Sequence, residues 1–205
     1  PIAKKVKAVN TLILNTDGEW IGTNTDWDGL IYPLEKLKIK KKQALILGSG
    51  GAARSAIQGL INMNFSNINI ISRNKASLNK IICDFQDNIS LKSFLNNDIQ
   101  IPNLIRSADL IINTTPVGMG QISKKTDQLP FGTDFWANLN SKTTIYDLIY
   151  NPSPTFLIKF AEKKGCQTIN GSEMLIAQGA KSLSYWTNIE DIPLEIMRDS
   201  IKNYL

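Results

Sequence analysis

The amino-acid sequence predicts an α/β fold built on a doubly wound parallel sheet with helices on both faces. Three observations carry this reading. Short apolar runs alternate with amphipathic segments from residue 43 to 170. The first of those runs empties into a glycine-rich loop that opens a helix, the way a nucleotide-binding sheet begins. A chain of 205 residues, 42% hydrophobic and 20% charged, suits one or two globular domains.

Residues 8–14 (AVNTLIL) read as a strand and 19–23 (EWIGT) as its hairpin partner across Asp17-Gly18. This pair precedes the alternation and reads as the end of a different sheet. A helix starts after Thr25, with Leu30, Ile31, Leu34 and Leu37 at helical spacing. Ala44–Leu47 is a strand, followed by Gly48-Ser49-Gly50-Gly51-Ala52-Ala53 and a helix to about Met63, with Ala56, Ile57 and Leu60 on its apolar face. Residues 68–71 are the next strand and 75–85 a helix with Leu78, Ile81 and Ile82 inward. Residues 86–107 are polar and weakly patterned, which predicts irregular structure with one short strand or helix. Residues 109–112 are a buried strand ending in Asn113-Thr114-Thr115-Pro116, and Gly118 and Gly120 mark a loop. Residues 144–149 are a strand stopped by Asn151-Pro152, 154–164 a helix and 166–169 a last strand, six in the sheet. Residues 172–187 are a helix with Met174, Leu175, Leu183 and Trp186 inward, and 192–204 a terminal helix.

Composition excludes several chemistries. The chain has no histidine, which removes Ser-His-Asp triads, Cys-His dyads and HExxH zinc sites. Proton transfer must then use Lys, Asp, Glu, Tyr or Cys. The net charge of +5 is spread along the chain, and its densest run, Lys36 to Lys42, holds no aromatic residue. That run reads as a solvated helix end and turn, and no nucleic-acid partner is expected. Apolar runs are too short for a membrane span, and no signal peptide is visible. Cys83 and Cys166 lie far apart and form no CxxC, which fits reduced thiols in the cytoplasm.

The loop Gly48 to Ala53 fits G-x-G-x-x-A between an apolar strand and an apolar-faced helix. Gly48 permits the tight turn, Gly50 lets the backbone approach a pyrophosphate, and Ala53 is small enough for helix-on-strand packing. The helix N-terminus supplies free N–H groups and a positive dipole end to the phosphates. NAD-binding units carry Asp or Glu about 20 residues further on, where it accepts from the ribose 2′-OH. Here the sequence reads Ser72-Arg73-Asn74-Lys75, with no carboxylate to repel a 2′-phosphate and a guanidinium to hold one. NADP is the predicted cofactor.

Three more segments stand out: Ala8-Val9-Asn10-Thr11 followed by Asn24-Thr25-Asp26; Asn113 to Met119; and Gly171-Ser172-Glu173-Met174-Leu175-Ile176-Ala177-Gln178-Gly179. Singly, Asx turns, N-caps and amphipathic packing account for each. Together, in this order around a dinucleotide loop and with Tyr146-Asp147-Leu148-Ile149-Tyr150-Asn151-Pro152, they resemble the shikimate dehydrogenase family along the chain from Ala8 to Trp186. The resemblance implies a Rossmann-like NADP domain beside an α/β substrate domain, and reversible hydride transfer between NADPH and 3-dehydroshikimate in the pathway to chorismate and the aromatic amino acids. It implies the acidic member of a catalytic Lys/Asp pair at Asp26, substrate contacts at Asn10, Asp26, Tyr150 and Gln178, and cofactor contacts at Gly48, Ser49, Gly50, Gly51, Ala52, Ser72, Arg73, Asn74, Thr115, Leu148 and Gly171. No metal is implied. Amide and hydroxyl side chains of this kind suit a polyhydroxylated ring.

The departures are also specific. Serine stands at 72 where the family has Asn, asparagine at 74 where it has Thr, and Ser77 where a basic residue is expected. The family's catalytic lysine and a Ser-x-Ser carboxylate-binding motif lie upstream of Asn10, and the nine residues here match neither; Lys4, Lys5 and Lys7 are not substitutes by motif. The resemblance therefore implies residues 1–26 as the end of a substrate domain present only in part, 27–170 as the NADP domain and 171–205 as helices returning to the substrate domain. It also implies impaired turnover and an exposed apolar face at Leu183 and Trp186. A non-catalytic NADP-binding module and a quinate-using relative are the alternatives, and a monomer or homodimer is expected.

Overall fold

The computed structural model describes residues 2–86, 90–120 and 127–201. It opens with a short helix α1 (Ile2–Val6), then the hairpin β1 (Thr11–Leu14) and β2 (Trp20–Thr23), then α2 (Asp26–Glu35). The hairpin is a two-stranded antiparallel sheet of its own, as its separate pattern predicted. Helix α1 was not predicted; its five residues are too few for periodicity to show.

The main unit runs β3 (Gln43–Leu47), α3 (Gly51–Asn62), β4 (Asn67–Ser72), α4 (Lys75–Asp84), β5 (Ser90–Leu95), α5 (Ile101–Ser107), β6 (Leu110–Asn113), β7 (Thr144–Asp147), α6 (Phe156–Lys163) and β8 (Gln167–Ile169). A 3-10 turn at Asp134–Trp136 lies between β6 and β7. Helices α7 (Ser172–Thr187) and α8 (Leu194–Ile201) complete the described chain. The predicted terminal helix ran to 204, and residues 202–204 of it lie outside the described residues.

The six strands pair in the order β5-β4-β3-β6-β7-β8, all parallel. The segment 86–107 is more regular than predicted. It supplies both edge strand β5 and α5, because pairing with β4 and burial of Phe94, Ile101 and Ile105 override a weak local pattern. Residues 87–89 lie outside the described residues.

Period-2 alternation on the strands divides the core in two. Ala44 and Ile46 of β3 face one layer with Ala53, Ile57 and Leu60 of α3 and Leu30 and Leu34 of α2. Leu45 and Leu47 face the other, with Ile105, Trp136, Leu157 and Ala161. Trp136 is fully buried and donates its indole N–H to the Pro130 carbonyl at 2.9 Å.

Helix α7 leaves the sheet and packs on α2, and Gly29 permits the approach. A Cβ there would lie 2.7 Å from the Gln178 Cβ. The inward face of α7 differs from the predicted one. Ile176, Ala177, Ala180 and Ser182 are buried, Met174, Leu175 and Leu183 are half-buried, and Trp186 is 58% exposed. Trp186 lies against the hairpin, donating its indole N–H to the Leu12 carbonyl at 2.8 Å. No described helix is long and apolar enough to cross a membrane.

Candidate active site

The sheet reverses strand order between β3 and β6, and the loops after those strands part there. Parallel sheets bind ligands in that crevice. A cavity of about 780 Å³ occupies it, lined among others by Gly48, Ser49 and Gly50 after β3, Ser72 and Arg73 at the end of β4, and Thr114 and Thr115 after β6. A second cavity of about 400 Å³ shares the Thr114, Thr115 and Pro116 wall and extends to Asn10, Asp26, Tyr150 and Gln178.

Gly48 has φ +111°, and a Cβ on it would meet the Thr114 hydroxyl oxygen at 2.5 Å. Both conformation and space require glycine. Thr114 is held there by donating to the Leu47 carbonyl at 2.7 Å. Gly50 caps α3 without a side-chain bond, so first-turn N–H groups stay free, and a Cβ on Gly50 would meet nothing within 4 Å. The Ser49 and Ser72 hydroxyls share a hydrogen bond of 2.8 Å, and Ser72 also accepts from the Asn74 N–H at 3.2 Å. Arg73 is exposed on the cavity wall. Bare backbone at the turn, free N–H groups and a guanidinium where β4 ends fit a 2′-phosphorylated dinucleotide.

Two predicted cofactor residues do not line either cavity. Asn74 instead accepts from the Ser77 N–H at 3.0 Å as the N-cap of α4. Gly51 opens α3 and is exposed. Ala52, Leu148 and Gly171 line the smaller cavity. Gly171 is there for close approach: a Cβ would lie 2.0 Å from the Leu148 carbonyl oxygen.

The predicted substrate residues come together from four distant segments. Asn10 accepts from the Thr25 N–H at 3.0 Å, which turns its amide group toward Asp26, to which it donates at 2.7 Å. Gln178 of α7 anchors its own amide on the Leu175 carbonyl at 3.0 Å, leaving its carbonyl oxygen 3.5 Å from the Asn10 amide nitrogen. Beneath them the hydroxyls of Thr11, Thr25 and Ser182 are buried, with contacts of 2.7 Å for Thr11–Ser182 and 3.1 Å for Thr25–Ser182. Tyr150 stands across the cavity, 38% exposed. Met119, Leu148, Ile149, Met174 and Leu175 give this cavity an apolar wall.

Sequence reasoning assigned no role to Asp147, yet it lies fully buried at the end of β7. Burial pushes its carboxyl up to about 6, against the opposing pull of hydrogen bonds from Thr155, Asn113 and the Ile149 N–H. The available signal was a polar residue ending each of two adjacent apolar strands, Asn113 and Asp147, which are paired in register. Among the described residues no cluster of three or more His, Cys, Asp or Glu could hold a metal ion.

Comparison with known proteins matches this arrangement. The Shikimate / quinate 5-dehydrogenase family model matches residues 33–126, and the Shikimate 5'-dehydrogenase C-terminal domain model matches 171–202. A shikimate dehydrogenase (NADP(+)) of Prochlorococcus marinus is 61% identical over 205 residues, covering 100% of this chain and 72% of the relative. The crystal structure of shikimate 5-dehydrogenase from Listeria monocytogenes, in complex with shikimate and NAD, superposes with a TM-score of 0.85 at 29% identity, over 98% of this chain and 70% of that one. The Thermus thermophilus enzyme, in complex with NADP(H) and shikimate, gives 0.80 at 27% identity, over 100% and 71%. With a nucleotide crevice, an adjoining polyol-type pocket and a relative 61% identical over the full length of this chain, the chain belongs to the shikimate dehydrogenase family.

Proposed function

We propose that this chain is an NADP-dependent oxidoreductase that interconverts 3-dehydroshikimate and shikimate in the cytoplasm. The observation that carries the reading is the shared wall at Thr114–Pro116. It places a nucleotide-sized cavity end to end with a cavity rimmed by Asn10, Asp26, Tyr150 and Gln178. The two free cysteines suit a reducing compartment.

Bound NADP supplies the hydride chemistry, and the protein supplies orientation and charge. Arg73 would hold the 2′-phosphate and the Gly48–Gly50 turn the pyrophosphate. Leu148 and Gly171 would lie beside the nicotinamide, where the apolar wall excludes water. On the substrate side, Asp26 accepts from a ring hydroxyl and fixes the carbinol oxygen. Asn10 and Gln178 supply a donor and an acceptor in set orientations, because Thr25 and Leu175 engage the other end of each amide. Tyr150 closes the ring from the opposite side.

Binding is the direct test, since it reads the two cavities separately. Calorimetric titration with NADP, with NAD, and with shikimate on the NADP-saturated chain separates the parts. Tight NADP, weaker NAD and measurable shikimate binding are expected. Binding of neither nucleotide would overturn the reading.

A further inference from the structure

Asp147 is 0% exposed and carries three hydrogen bonds. Its Oδ1 accepts from the Asn113 amide at 2.9 Å and from the Ile149 N–H at 3.2 Å, and its Oδ2 accepts from the Thr155 hydroxyl at 2.7 Å. Each partner opens a segment on a cavity wall. Asn113, itself 0% exposed, accepts through Oδ1 from the Thr115 N–H at 3.0 Å and the Thr115 hydroxyl at 2.7 Å. Ile149 sits between Leu148 and Tyr150 in the smaller cavity. Thr155 caps α6, accepting from the Ile158 N–H at 3.2 Å, and the next residue, Phe156, lines the larger cavity.

No cation pairs with this carboxylate among the described ion pairs. Burying an acidic group without a counter-charge is costly, and packed apolar residues would hold two strands together at lower cost. What the carboxylate offers that they do not is three directed acceptor sites at the point where two parallel strands end and their loops part.

We propose that Asp147 is a positioning residue for the nicotinamide end of the nucleotide. By holding Asn113, Ile149 and Thr155 together it sets Thr115 and the Leu148–Tyr150 segment at the spacing the nicotinamide ring requires. The proposal rests on the NADP reading above and extends it to a residue that touches neither ligand. The adenosine end, at Ser72 and Arg73, lies after a different strand and carries no bond of this network.

The test compares two ligands on Asp147→Ala and the unaltered chain: NADP, which spans both ends, and adenosine 2′,5′-bisphosphate, which reaches only the Arg73 end. In a variant with native circular dichroism, NADP affinity should fall about tenfold or more, as expected when buried donors lose a shared acceptor. The bisphosphate affinity should stay within about twofold. Equal loss for both ligands would mean general disruption and would overturn the proposal, as would unchanged NADP affinity. If the unaltered chain binds neither ligand, the NADP reading fails and this inference with it. Should Asp147→Ala not fold, amide exchange on the unaltered, ligand-free chain decides. Protected Thr115 and Ile149 amides support the network, and free exchange there beside protected β6 and β7 amides overturns it.

Discussion

Asn10 and Asp26 are joined by a hydrogen bond of 2.7 Å that ties the segment before β1 to the first turn of α2. The Thr25 N–H fixes which end of the Asn10 amide faces the carboxylate. Asp26 therefore lines the cavity with one oxygen engaged by Asn10 and the other accepting a longer hydrogen bond, 3.5 Å, from the Asn24 amide. Asp26→Asn places a donor opposite the Asn10 donor and removes the charge. Shikimate affinity of the NADP-saturated chain should fall about tenfold or more, the loss of a charge-assisted hydrogen bond. NADP affinity should be unaltered. Calorimetry with each ligand measures both, and unchanged shikimate affinity would remove Asp26 from the site.

Arg73 follows β4 at the rim of the nucleotide cavity, and no carboxylate stands in the Ser72-Arg73-Asn74-Lys75 run. Arg73→Ala should weaken NADP about tenfold or more while leaving NAD affinity within a factor of about two, since only NADP carries the 2′-phosphate. Equal losses for the two nucleotides would assign the guanidinium to the adenine or the pyrophosphate instead.

Gly171 has an ordinary φ of −74°, so its requirement is steric and not conformational. With backbone only 2.0 Å from where a Cβ would sit, a Gly171→Ala chain must move either Leu148 or the start of α7. Denaturant unfolding should show a loss of about 1–3 kcal/mol, typical of overpacking. NADP and shikimate affinities should fall together, because Leu148 and Gln178 are carried by the two elements forced apart. A stable variant with normal affinities would show that the contact yields easily.

The Asp147 carboxyl is pushed up to about 6 by burial, above its value in an unfolded chain, near 3.9. Between about pH 4 and pH 6 the folded chain thus keeps a proton that the unfolded chain has lost, and this group's contribution to stability falls as pH rises through that window. Asp147→Asn has no proton to lose there. The stability of the variant relative to the unaltered chain should rise from pH 4 to pH 6 and then level off. Urea midpoints at several pH values read this directly, and a variant stability that stays flat or falls relative to the unaltered chain as pH rises would contradict it.

Local pattern alone made the sheet legible. Apolar runs such as Ala44–Leu47 and Leu110–Ile112 can bury both faces only between helices, and a G-x-G-x-x-A turn after the first of them marks where a nucleotide's phosphates would lie. The segments around Asn10, Asp26, Tyr150 and Gln178 were legible as well, through their resemblance to one family. Tertiary structure decided what needs distance information. It brought Gln178 to within 3.5 Å of Asn10 across 168 positions of chain. It made Asn74 the cap of a helix, and it left Trp186, turned inward by helical periodicity but expected on an exposed apolar face from the family resemblance, exposed against the hairpin. It also gave the buried Asp147 its three partners, which a polar residue at the end of an apolar strand signals but does not name. Periodicity records which face of an element is apolar, whereas the partner of a polar side chain depends on which strand ends and helix starts the fold brings side by side.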